Sequence, residues 1–174
     1  MSRMIPLAIA FVSLGFATAA AADISPNDRK FIEDAAMGGI AEVELGKVAT
    51  ARGSSERVRQ FGQQMINDHR KANTQLKRIA SAKAIELPTA LDAKHRKDVD
   101  ELRKKDAAAF DREYMQMMVK DHRKDLAEFR KQAKGAKDPD IKAFAATAWP
   151  TLRVHLELAE ATMAGLAPPK KPAR

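Results

Sequence analysis

Apolar residues along this chain recur at steps of three and four, the period of a helix that buries one face, and no stretch alternates as a strand would. Between Pro26 and about residue 52 the stripe is Phe31, Ala35, Gly38, Glu42, Leu45 and Ala49, one carboxylate in an otherwise apolar series. Over 55–84 it is Val58, Phe61, Met65, Ala72 and Ile79, and over 107–134 it is Met115, Met118, Leu126 and Phe129. The last stripe, over 138–165, is Ile141, Ala145, Ala148, Leu152, His155 and Ala159, again with one polar member. Helix punctuation agrees with these spans. Ser25-Pro26-Asn27-Asp28 and Asp138-Pro139-Asp140 each offer an N-cap, a proline at the first helical position and an acid in the first turn. Gly53 closes one helix just before Ser54-Ser55-Glu56 opens the next. Gly135 precedes the Asp138 cap, and Gly165 with Pro168-Pro169 ends the series. Leu87-Pro88-Thr89 breaks the second helix. A short helical segment over 90–104, with Thr89-x-x-Asp92 as its capping box, fills the one long connection. Pro150 predicts a kink in the last helix.

Two tight hairpins joined by a longer crossover predict an all-α fold, a ferritin-like four-helix bundle with a short extra helical segment in the crossover. In it the first and second long helices run antiparallel, as do the third and fourth, and the second and third run parallel. One domain over 23–166 accounts for all of this. Ahead of it, Arg3, the apolar run Ile5 to Phe16 and the small residues Ala20-Ala21-Ala22 read as a signal peptide over 1–22. Its apolar run is too short to span a bilayer, and no later segment reaches the ~18 apolar residues a span needs. With no cysteine in the chain there is no thiol to carry a lipid. The expected location is therefore outside the inner membrane, most simply a bacterial periplasm. About 150 residues suffice for one core without disulfides. Residues 167–174 form a proline-rich basic tail that is expected to be disordered.

Charge changes this picture little. Lysine and arginine total 31 against 23 acids, and setting aside Arg3 leaves a net charge one lower than the chain's +8. Such a surplus would give weak attraction to anionic envelope surfaces. Nucleic acid is not expected as a partner, because aromatics are few and charges of both signs are interspersed, as in Glu56-Arg57 and Asp98-Asp100-Glu101-Arg103.

The candidate chemistry lies in an echo. Phe61-Gly-Gln-Gln-Met65-Ile-Asn-Asp68-His69-Arg-Lys71 returns 53 residues later as Tyr114-Met-Gln-Met-Met118-Val-Lys-Asp121-His122-Arg-Lys124. Both stripes pass between the Asp and the His, so each pair should flank the seam. Glu42, His69, His122 and His155 all fall near the midpoints of their helices, and a midpoint keeps its level whichever way the helix runs. The four thus share one polar layer. His95, among Lys94, Arg96 and Lys97, reads as a surface residue.

Burying such groups without partners is costly, so they must satisfy each other, hold water or hold a metal. One reading is a hydrogen-bonded network, with Arg70 and Arg123 closing onto nearby acids. A second is a single transition metal ion, whether zinc, iron, manganese or copper. Its ligands would be Glu42, His69, His122 and His155, with Asp68 and Asp121 ligating or orienting the imidazoles. The pairs Met65/His69 and Met118/His122, one turn apart, would suit copper(I) as a minor branch. A third reading makes the Glu and histidines general acid–base groups. No nucleophile motif or glycine-rich phosphate loop accompanies them, so an enzyme is not the expected outcome.

The chain resembles the bacterial exported proteins grouped as domain of unknown function 4142. The resemblance rests on Glu42-x-x-Leu45-Gly46-x-x-Ala49, Phe61-Gly62-x-x-Met65-x-x-Asp68-His69-x-x-x-Asn73, Leu87-Pro88, Phe110-Asp111-x-x-Tyr114-x-x-x-Met118-Val119-x-Asp121-His122 and Leu152-x-x-His155-Leu156. It spans roughly 24–165 and implies a ferritin-like bundle in the cell envelope, with no established activity. Di-iron ferritin-like proteins place Glu on two helices and Glu-x-x-His on two others. This chain has no Glu-x-x-His at the polar layer, so a single metal or none is expected.

Overall fold

The computed structural model describes residues 24–166. The expected signal peptide and the tail at 167–174 lie outside the described residues. Five helices form: α1 (Pro26–Arg52), α2 (Glu56–Ala82), α3 (Ala93–Arg103), α4 (Ala107–Gly135) and α5 (Pro139–Ala164). No strand occurs among the described residues.

Side-chain caps start four of the helices. Ser25 Oγ accepts from the Asp28 amide at 3.1 Å, Asp106 from Ala109 at 2.8 Å, and Asp138 from Asp140 and Ile141. The α3 cap corrects the expected box. Asp92, not Thr89, is the N-cap, its carboxylate taking the His95 amide at 2.8 Å, and α3 begins after it rather than at 90. Aspartate is the better acceptor for an orphan amide, so residues 90–92 belong to the crossover and not to the helix. α5 continues unbroken through Pro150, which lies on its exposed side.

The three-residue link 53–55 forces α1 and α2 antiparallel, and 136–138 does the same for α4 and α5. α1 packs on α4, α2 on α5, and α3 lies across α1 with a smaller contact on α4. Two buried aspartates fasten the hairpins to each other. Asp111, near the start of α4, accepts from the amides of Ser54 and Ser55 at 2.9 and 2.7 Å, in the α1–α2 link. Asp28, in the first turn of α1, accepts from Lys137 and Asp138 at 3.0 and 2.9 Å, in the α4–α5 link. Each hairpin's tip is thus held by the other hairpin.

α1 buries more than the single stripe predicted for it. Ile32, Ala36, Gly39, Ala41, Val43, Gly46 and Val48 are buried as well, whereas Ala35 and Gly38 are only partly so. The reason is that α1 has three helical neighbours. Its approach to α2 is closest at Gly46 and Gly62. A Cβ on Gly46 would stand 2.7 Å from the Gly62 carbonyl oxygen, and one on Gly62 would stand 2.8 Å from the Ala49 Cβ. The core falls into two parts. One gathers Leu45, Phe61, Met65, Phe110, Tyr114 and Met118, with Val99 and Leu102 of α3. The other gathers Phe31, Ile32, Leu76, Ile141 and Phe144. Between them, by position along every long helix, lie Glu42, His69, His122 and His155.

Candidate metal centre

Three helices each bring one imidazole to this middle layer. His69 of α2, His122 of α4 and His155 of α5 are exposed by 8%, 0% and 1%. Their ring centroids are 5.9, 5.6 and 5.3 Å apart, and one ring nitrogen from each lies within 4.8 Å of those of the other two. Hydrogen bonds settle which nitrogens are spoken for. His122 Nδ1 is 2.9 Å from the Met118 carbonyl, an acceptor only, so Nδ1 carries the proton and Nε2 the lone pair. His155 Nε2 is 2.8 Å from an Asp68 carboxylate oxygen and donates to it, leaving the lone pair on Nδ1. His122 Nε2, His155 Nδ1 and His69 Nε2 are all buried without a hydrogen-bond partner.

Electrostatics keeps these rings neutral. Burial pulls His69 well below the usual imidazole range, helped by the other two rings. His122 is lowered to about 4, again chiefly by burial and then by His155. His155 is lowered by burial, with Asp68 pulling the other way. Burial pushes Glu42 well above the ordinary carboxylate range, and the charges of Asp125 and Asp121 add to this. Burial therefore favours the neutral form of this carboxyl.

The other predicted site residues stand around the three rings rather than with them. Glu42 Oε1 is 4.0 Å from His122 Nδ1, the nitrogen already committed to Met118, and Glu42 Oε2 has no partner. Glu42 therefore sits behind His122, outside the set of converging nitrogens. Asp68 reaches from α2 across to α5. Asp121 does not play the matching part: it is half-buried and lines a cavity. The two Asp-His pairs are thus alike in sequence and different in use. Nor do both members flank the seam, because His122 is fully enclosed. Arg70 is exposed, and Arg123 pairs with Glu160 at the surface at 2.6 Å, so neither arginine closes the layer. His95 is half-buried rather than a surface residue; its Nδ1 lies 2.8 Å from Asp92, and it lines the same cavity. Met65 and Met118 are fully buried in the apolar core.

Reasoning from sequence missed three groups. Tyr114 is fully buried with an unpartnered hydroxyl, and burial together with Glu42 holds it well above the usual phenol range. Its place as the aromatic opening the second copy of the echo was the available signal. Asn73, one turn after His69, has a buried and unpartnered Oδ1, and a Cβ on Gly39 would fall 2.0 Å from that oxygen. Asp125, one turn after Asp121, is raised to about 6 by burial and by Asp121. Both could have been found from their spacing of four to the Asp-His pairs.

The cavity, about 550 Å³, adjoins the centre: His69, His155, Glu42 and Asp68 line it, and its rim includes the exposed side chains of Lys30, Asp34, Lys71 and Lys124.

The crystal structure of a DUF305 fragment from Deinococcus radiodurans matches 81% of this chain and 97% of its own length, with a TM-score of 0.71 and 13% sequence identity. A likeness at that identity is one of fold. Among curated proteins none matches the chain. The profile of the domain of unknown function DUF4142 matches residues 14–162, most of the chain, and the chain belongs to that family.

Proposed function

We propose that this is an exported metal-binding protein whose centre is a single transition metal ion held by His69, His122 and His155. The observation that carries the reading is the convergence of three buried, neutral imidazoles, each with an unpartnered ring nitrogen. Leaving three such nitrogens unsatisfied would cost of order 1–3 kcal/mol apiece, which a metal turns into binding energy. Tetrahedral bonds of about 2.0–2.1 Å place donor nitrogens roughly 3.4 Å apart, so nitrogens already within 4.8 Å of one another need only small ring rotations. Three nitrogen donors with carboxylates outside the set favour zinc(II) or copper over manganese and iron. Asp68 is the orienting carboxylate of His155, and the Met118 carbonyl plays that part for His122. Three protein ligands leave a fourth position for water or an exchanging ligand.

The ferritin-like four-helix reading draws support from the pairing of α1 with α4 and of α2 with α5 across a long crossover. Export draws support from the sequence of residues 1–22. The first expected result is one zinc or copper ion per chain, by elemental analysis of untagged protein recovered from the periplasmic fraction and beginning near Asp23. His69→Ala/His122→Ala should abolish it. Protein stripped with chelator whose melting temperature ignores zinc, copper, iron and manganese would overturn the reading. It would leave a structural or partner-binding envelope protein.

A further inference from the structure

A buried centre needs a way in, and the cavity beside this one has a charge opposite to that of the chain. Acidic residues outnumber lysines eight to four among those lining it, and seven to four with Glu42 set aside, in a protein whose net charge is +8. Part of that acidity is neutralised. Lys30 pairs with Asp34 at 2.8 Å and Lys94 with Asp98 at 3.0 Å, while Asp92 is occupied as the α3 cap and by His95. Asp121 and Asp125, one turn apart on α4, have no hydrogen bond or ion pair among the described residues, although the charges of Lys120, Lys94 and Lys124 act on Asp121 and that of Lys124 on Asp125. The same cavity ends on His69, more than nine-tenths buried, with its Nε2 unpartnered, and on His155. His122 does not line it.

We infer that this cavity is the route by which a divalent cation reaches the three imidazoles, with Asp121 and Asp125 as the wall that draws it in. The inference rests on the metal reading above and adds a direction to it. The ion enters from the side of His69 and His155, and His122 is the ligand at the back. Acidic side chains lining a low-dielectric cleft raise the local concentration of cations, so removing them acts chiefly on the loading rate. The route can also be narrowed without touching a ligand. Gly38 lines the cavity, and a Cβ there meets nothing within 4 Å, so a larger side chain at this position projects into open space.

The test is stopped-flow loading of chelator-stripped full-length protein with cobalt(II), followed by the visible absorption of the four-coordinate ion. Asp121→Asn/Asp125→Asn should bind one cobalt per chain but load at least ~10-fold more slowly, with a weaker dependence on salt. Asp100→Asn/Glu101→Gln, the same charge change at two α3 residues that do not line the cavity, should load like the parent. Gly38→Leu should slow loading and release by a similar factor, leaving the dissociation constant unchanged. A parent protein that binds no cobalt would overturn the metal reading and the route together. A parent that binds, with Asp121→Asn/Asp125→Asn or Gly38→Leu loading at the parent rate, would overturn the route alone.

Discussion

Single residues in the polar layer divide by what their atoms touch, and two predictions belong here. Glu42 is 4% exposed with one oxygen unpartnered, whereas Glu44, two residues on, is half-exposed and ion-paired with Lys47. Removing an unsatisfied buried group without leaving another orphan is stabilising. Metal-free Glu42→Leu should therefore gain about 1 kcal/mol, a rise of roughly 2–4 °C in Tm, while Glu44→Leu stays within ~0.5 kcal/mol. Equal melting shifts would mean the facing of α1 is wrong. The second prediction is a pH dependence. Folded His122 binds its proton only at about 4, while an unfolded imidazole does so near ~6.5, so the unfolded chain holds more protons between those values. Stability from this group is present above the unfolded pKa and is lost as pH falls toward 4, by up to about 3 kcal/mol. His69 acts in the same direction. Asp125 opposes it: raised to about 6, it takes up its proton more readily when folded, and its contribution is lost as pH rises through 6. Melts of chelator-stripped Asp125→Asn between pH 7 and 5 should thus fall more steeply than the parent's. A parallel pair of curves would remove Asp125 from the account. Glu42 and the three histidines were legible in the sequence because a polar residue interrupting an apolar stripe is conspicuous. The unlike roles of Asp68 and Asp121 were not, because identical local motifs say nothing of which helix lies opposite.

At the level of elements, local signals were clear and tertiary ones were not. Ser25 and Asp138 cap where the sequence predicts, since a cap depends only on its own next three amides. The width of the buried face of α1 depends on how many neighbours it has, and periodicity carries no count of neighbours. The aspartates that hold the hairpin tips belong here too, for their partners are 56 to 110 residues away in the chain. Asp111 is 7% exposed, and Asp111→Ala would leave the amides of Ser54 and Ser55 without their acceptor. The expected cost is about 1–3 kcal/mol by denaturant unfolding, with the m-value unchanged. A loss below ~0.5 kcal/mol would show that water replaces the carboxylate at no cost.

The whole molecule is two hairpins packed together, their shared core divided along the helix axes by a layer of imidazoles, and the fastening at their tips bears on what that layer can do. Each tip is tied into the start of the opposite hairpin, so the ties resist sliding along the helix axes as well as separation. A slip of one helical turn would carry His122 and His155 about 5.4 Å past His69 and scatter the three nitrogens. With that slip blocked, the distances between helices are fixed, and on the proposed metal reading only ring rotations would remain to adjust bond lengths. A frame of this kind discriminates among ions by the coordination geometry they accept. It gives little to an ion that requires six ligands, and much to one content with four.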